Sequence, residues 1–298
     1  MADFSDAFTS GLRTDIVFLV AGEMIPAHVF ALYFRSPVFK TMFDGPMAPK
    51  SENGEKPVIK IDDERITAAN FKIFLKFLYN NKAEITGDNA FALLNMAKMY
   101  DVPDLFRLCE EFLTKSLTSE NVVTIANSAS IFHDSAILKN AAEFIAKMPD
   151  VLKNEQKYSG MNSEVFSAVL KQDKISALMD SYCRANHPSY ATMYSCSYCG
   201  RASFKELDLF NLMLKWGKNQ CKLKNLEENP ENLREILKSC LPFIRFPIMT
   251  VDELSTVVYP TKLLKKSVMA TIFVDAINFA KGKTTNESPF SKVKRGFA

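Results

Sequence analysis

At 298 residues, with 47% of positions hydrophobic and 24% charged, the chain exceeds one small core and is too apolar for global disorder, so one large domain or two moderate ones are expected. Its 37 Lys and Arg against 34 Asp and Glu leave a formal charge of +3 that is not gathered into a basic stripe, which argues against nucleic acid as a partner. The opening MADFSDAF has neither a basic nor an apolar leader, and runs such as Ile16 to Ala21 are too short to cross a bilayer, so neither secretion nor a membrane is expected.

In chain order, DIVFLV at 15–20 is a β-rich run ending at Ala21-Gly22, and MIPA follows as the return strand of a hairpin that Pro26 is expected to stop. Val29, Leu32 and Tyr33 are helically spaced before Pro37, and a second short helix carries Val38, Met42 and Phe43. DGPMAPKSENGEKP is a turn-rich surface connection, after which VIKI at 58–61 must join the hairpin to satisfy its edges. Three apolar stripes then recur at helical spacing: Phe71, Phe74, Leu75 and Leu78 after a Thr67 cap; Ala90, Leu93, Leu94 and Ala97; Leu105, Leu108, Cys109 and Phe112 after Pro103.

The same period continues through Val122, Ile125, Ala126 and Ala129, with Thr118 and Ser119 as candidate caps, and through Ala141, Phe144, Ile145 and Met148. Residues 180–203 carry no regular stripe and read as an irregular, Cys-containing insertion. Helical spacing returns at Leu209 to Trp216 and at Leu233 to Cys240, and Thr250 with Glu253 has the spacing of a capping box. A last stripe, Met269, Ile272, Phe273 and Ala276, precedes a polar tail with Lys281, Lys283, Lys292, Lys294 and Arg295, expected to be solvated. The expected class is α+β: a small mixed sheet clasped by helices over 1–117, an all-helical domain over 118–280, and a basic flexible tail over 281–298.

Asp15, Gly22, Ile25, Ala27, His28, Arg35, Ser36, Pro37, Val38, Phe39, Met42 and Phe43 together resemble the opening of a BTB (POZ) domain. The stretches FKIFLKFLYNNKAEI and LLNMAKMYDVPDLFRLCEEFL resemble its remainder. Later segments, DLFNLMLKWGKNQC and ILKSCLPFIRFPIMTVDEL, with the connector GPMAPKS, resemble the BACK region of the BTB-BACK-PHR subfamily, although no PHR domain is expected after Ala298.

The resemblance implies a homodimeric, non-enzymatic adaptor that recruits a protein substrate to a cullin-3 ubiquitin ligase, with a cullin-independent oligomeric scaffold in transcriptional or cytoskeletal organisation as the alternative. The absence of a leader or a spanning run sets the expectation of a cytoplasmic setting, with the nucleus as a secondary one. The positions the resemblance implies for cullin-3 are Phe39, Met42, Phe43, Met47, Tyr100, Asp101 and Val102, extended by the helix pair around 118–148. In the triplet Met47-Ala48-Pro49, Pro49 stands where many such adaptors carry an acid. Phe4, Phe8 and Leu12, apolar residues ahead of the first strand, are candidates to cover a dimer face or to close the domain's own core.

No catalytic or cofactor-binding residue is expected. His28, His133 and His187 are not joined to a Ser or Cys in a relay pattern, and no glycine-rich phosphate loop is present. His28 reads instead as a helix-start hydrogen-bonding residue aided by Asp15. Six cysteines in an intracellular chain are expected to be free thiols. Cys196 and Cys199, with Cys183 and His187, have the donor types of a zinc site, set against a loop with incidental cysteines.

Overall fold

A computed structural model of the chain describes residues 3–46, 48–51, 54–173, 175, 206–283 and 287–293. The chain divides into two compact units, Met1–Ser116 and Leu117–Ala298. The first is mixed α and β; in the second, the described elements are helical.

The first unit is built on a three-stranded sheet in the order β2-β1-β3. Strand β1 (Ile16–Val20) pairs antiparallel with β2 (Glu23–Ala27) and parallel with β3 (Val58–Ile61), so that Phe18 faces Ile25 on one side and Ile59 on the other. Ala21 and Gly22 have φ of 48° and 84°, the double positive φ of a two-residue hairpin turn whose twist matches its strands. Pro26 does not stop the return strand, as its sequence suggested: it pairs with Val17 inside β2. Strand β2 lies at the sheet edge, where a missing N–H costs no ladder bond.

Among the described residues, six helices surround the sheet: α1 (Ser5–Ser10), α2 (Val29–Arg35), α3 (Pro37–Asp44), α4 (Ala68–Asn80), α5 (Ala90–Met99) and α6 (Pro103–Lys115). Ser36 separates α2 from α3 in extended conformation, and its hydroxyl accepts from the Phe39 N–H at 3.1 Å while Pro37 takes the first turn. The same hydroxyl donates to the Tyr100 carbonyl at 2.5 Å, tying α3 to the turn before α6. Thr67 caps α4 as expected, and Asn81 closes that helix in left-handed conformation. The inward faces bury Phe18, Phe39, Phe71 and Phe74 completely, each contributing about 1.5–3 kcal/mol of hydrophobic stabilisation.

In the second unit, α7 (Val122–Ile131) and α8 (Ser135–Lys147) form a hairpin followed by the short α9 (Pro149–Leu152) and α10 (Glu155–Ser159) and by α11 (Ser163–Leu170). Neither candidate cap stands at the N-cap of α7, which is Asn121: Thr118 accepts from the Asn121 N–H at 3.3 Å in the turn before the helix, whereas the Ser119 hydroxyl turns to Glu120. Asp134 and Asn162 cap α8 and α11. From residue 206 on come α12 (Glu206–Leu223), α13 (Pro230–Leu237), the Thr250–Glu253 capping box, and α14 (Lys266–Ala280). Trp216 stacks on Phe166 at 4.6 Å and donates to the Met161 carbonyl at 3.0 Å, at the centre of an apolar core drawn from α7 to α14. Gly217 is the close-approach point of α12 and α13: a Cβ there would lie 2.9 Å from the Leu237 side chain.

The expectation of a free basic tail is corrected at residues 287–293. Phe290 packs edge-on against Phe246 at 4.9 Å, and Lys292 pairs with the fully buried Asp275 at 2.8 Å, because a buried carboxylate requires partners that water cannot reach. Lys281 and Lys283 are exposed as expected, and Lys294 and Arg295 lie outside the described residues.

Trp216 is the only tryptophan of the chain and reports on the second unit alone. Phe166→Ala should lower that unit's stability by about 3–5 kcal/mol, read as a lower urea midpoint of the Trp216 emission transition. An unchanged midpoint would show that the stack is not part of the packed core.

Candidate functional site

Two faces of the first unit present apolar side chains outward. The first is built by α1, α2 and α4. Helix α2 buries Ala31 and Leu32, which turns Phe30 and Phe34, four residues apart, to the opposite side at 62% and 71% exposure. Helix α1 is held on α4 by the Phe4 N–H bond to the Tyr79 carbonyl at 3.1 Å and by Asn80 Nδ2 to Ser5 Oγ at 2.8 Å. Phe4 is thereby set edge-on to Phe30 at 6.3 Å, and Phe30 lies 5.2 Å from Phe34. Phe4, Phe30, Phe34, Leu78 and Tyr79 line one cleft, with the Arg35 side chain at its margin.

Of the three residues singled out for a dimer face, Phe4 and Leu12 are exposed, whereas Phe8 is half-buried against the Tyr79 ring at 5.1 Å. Phe30 and Phe34 were not singled out. Their signal lay in the sequence as two aromatic residues at i and i+4 on the side of α2 that the core stripe does not use.

His28 underpins this face. Its backbone N–H donates to Tyr79 Oη at 2.8 Å, its Nδ1 lies 2.9 Å from the same oxygen, and its Nε2 lies 2.8 Å from the Leu12 carbonyl. A carbonyl only accepts, which assigns the ring proton to Nε2 and makes the Tyr79 hydroxyl the donor to Nδ1. Asp15 caps α2 by accepting from the Val29 N–H at 2.7 Å. Burial pushes the Tyr79 phenol up to about 12, with the Asp15 charge adding to it against the opposing bond from His28.

The second face is the outer side of α3, where Pro37, Val38, Thr41 and Met42 line an open depression. Phe43 is half-buried and stacks on Phe39 at 5.9 Å with the rings 9° from parallel. Three residues expected to meet a partner belong instead to the interior: Phe39, Tyr100 and Val102 are 0%, 4% and 3% exposed. Their side chains are enclosed by the sheet and helices, so they support the surface rather than form it. Phe39 stacks on Tyr100 at 4.5 Å, and burial, with the Asp63 charge second, pushes the Tyr100 phenol up to about 12. Asp101 is exposed at φ 50°, a conformation Asp tolerates better than most residues. Met47 lies outside the described residues.

Cys183, His187, Cys196 and Cys199 also lie outside them. Among the described residues no group of His, Cys, Asp and Glu side chains is arranged to hold a metal ion. Cys109, Cys221 and Cys240 are buried free thiols, and burial pushes Cys109 up to about 12, far from thiolate chemistry at neutral pH. No described helix is long and apolar enough to cross a membrane.

The sheet, the α2–α3 break at Ser36-Pro37 and the helix pairs around them coincide with a family match: residues 4–117 match the BTB/POZ domain. Over those residues the chain carries a BTB/POZ domain. It is 26% identical over 251 residues to BTB/POZ domain-containing protein 6 of Mus musculus, covering 83% of this chain and 40% of that protein. It is 25% identical over 250 residues to BTB/POZ domain-containing protein 3 of Homo sapiens, covering 83% of this chain and 41% of that protein. For BTB/POZ domain-containing protein 6 of Xenopus tropicalis the figures are 25% over 272 residues, 90% and 45%. The chain thus spans less than half the length of these relatives. The BTB/POZ domain is a protein-interaction module rather than a catalyst, and the helical unit that follows it is consistent with a BACK-like region.

Both buried phenols titrate higher in the folded unit than the ordinary value of about 10. Between that value and about 12 the unfolded chain has lost protons that the folded one keeps, so this contribution to stability is complete below pH 10 and falls as pH rises towards 12. Tyr100→Phe should flatten the decline, measured by thermal unfolding at pH 9 to 11. Tyr79→Phe should in addition cost about 1–3 kcal/mol at neutral pH, because it strips the His28 N–H and Nδ1 of their partner. A neutral-pH stability equal to wild type would contradict that role.

Proposed function

We propose that this BTB/POZ protein is a non-catalytic adaptor that self-associates through its aromatic face and offers the outer side of α3 to cullin-3, holding a recruited protein substrate within reach of a ubiquitin ligase. The observation that carries this reading is the set of Phe4, Phe30 and Phe34 at 46%, 62% and 71% exposure around one cleft. Three neighbouring phenylalanine rings left in water are costly in a lone unit, at about 25 cal/mol per Å² of apolar surface, and covering them with a second copy recovers that free energy. A two-fold self-complementary arrangement is the commonest solution.

Within the proposed cullin-3 surface, Met42, Phe43 and Asp101 are the residues within reach of a partner, together with Met47 from the sequence reading. The depression along Pro37, Val38, Thr41 and Met42 supports that assignment. An adaptor acts here by raising effective concentration, without bond chemistry of its own. Kinship to BTB-BACK-PHR proteins and a cytoplasmic setting, with the nucleus second, belong to the same proposal. Pro49, which supplies neither the acid nor the N–H of many cullin adaptors, favours the second reading: an oligomeric scaffold that works without cullin-3.

Calorimetric titration with an N-terminal cullin-3 fragment separates the two. Micromolar or tighter binding that Met42→Asp abolishes supports the adaptor, whereas no heat at tens of micromolar protein leaves the scaffold. Phe34→Asp should turn a dimer into a monomer in light scattering without loss of helicity; a dimer that persists would place self-association elsewhere.

A further inference from the structure

Asp275 stands in α14 between Ile272 and Ala276, at a position the helical period assigns to the core, and it is fully buried. A carboxylate there is tolerable only with partners delivered to it. They come from 12 to 17 residues downstream. Asp275 Oδ2 accepts from the Ser288 N–H at 2.8 Å and from Ser288 Oγ at 2.6 Å. Its Oδ1 accepts from Lys292 Nζ at 2.8 Å and from the Glu287 N–H at 3.2 Å.

Between these anchors Phe290 packs edge-on against Phe246, which itself lies 5.7 Å from Phe210 in the core. Beyond them Arg245, 7% exposed, donates from its guanidinium to the Val293 carbonyl at 2.7 Å. Arg245 is fixed in turn by Asp173 and, through its backbone N–H at 2.8 Å, by Glu206.

Along 287–293, exposure alternates strictly: Ser288, Phe290 and Lys292 face the helices, while Glu287, Pro289, Ser291 and Val293 face water. Alternate side chains are therefore covered although the backbone bends at 288–290, and Pro289 keeps Ser288 out of helical backbone. The segment is held by the side chains at alternate positions, as a bound peptide is, and not by a continuation of α14.

We infer that the helical unit carries a binding site for a short non-helical peptide that presents a hydroxyl, an aromatic ring and an ammonium group at alternate positions, and that residues 288–292 occupy this site in cis. Asp275 reads the hydroxyl and the ammonium, Phe246 the ring, and Arg245 the backbone that follows. A segment of the same chemistry in another protein exchanges with the cis occupant, whose tether gives it an effective concentration in the millimolar range.

The test uses the full chain and a fluorescent peptide of sequence ESPFSKV in an anisotropy titration. Ser288→Ala with Lys292→Glu should open the site, so that this variant binds the peptide roughly tenfold or more tightly than wild type does. Peptides in which Phe290 is Ala, Lys292 is Glu, or Ser288 is phosphorylated should each lose that affinity, the last because a dianion would face Asp275. Far-UV circular dichroism and Trp216 emission confirm that the opened variant is folded. Asp275→Asn added to it should remove binding; should that change unfold the chain, the three altered peptides test specificity on an unaltered site. Equal affinity of wild type and opened variant, or of native and altered peptides, would overturn the inference.

Discussion

The stack of Phe39 on Tyr100, 4.5 Å apart and 17° from parallel, is the contact on which the first unit's geometry depends. Phe39 comes from α3 and Tyr100 from the end of α5. Phe18 of the sheet lies against Phe39 at 5.7 Å, and Phe74 of α4 lies 5.1 Å from Tyr100. Ser36 adds a polar bolt at the same place by bonding both the start of α3 and the Tyr100 carbonyl. With Phe39 of α3 locked inward, the 100° step of the helix carries Thr41 to the opposite side, roughly 160° away, and leaves Val38 and Met42, about 100° and 60° away, half-buried on its flanks. The proposed docking face is therefore a consequence of core packing one to three residues away.

The same logic separates the second unit into a core and an edge. Trp216, Phe166 and Phe210 are enclosed, and Phe246 continues that core to its boundary, where Phe290 covers it. A charged residue at a core position of the last helix makes that boundary selective, because only a segment carrying matching donors satisfies it. Packing supplies the affinity of such an edge, and the buried carboxylate supplies its specificity.

The apolar period made the two-part α+β architecture and its helices readable in the sequence, and Thr67, Pro37, Pro103 and the Thr250–Glu253 box made several helix starts readable as well. Pro26 misled because edge strands accept a proline, and strand order is not local information. Phe39, Tyr100 and Val102 were assigned to a surface because they belong to a recognisable pattern, yet such a pattern is written largely by core residues, which a fold constrains most tightly. Phe30 and Phe34 were passed over for the opposite reason: attention to the inward stripe of α2 hides the residues it leaves out. Asp275 could not be placed, since its partners arrive from a segment with no helical period.

If core packing leaves the outer side of α3 as the proposed docking face, amide hydrogen exchange of the full chain, alone and saturated with the cullin-3 N-terminal fragment, should report it. Slowed exchange centred on residues 37–44 is the predicted result. A complex that forms while exchange there is unaltered, with protection confined to other segments, would contradict it.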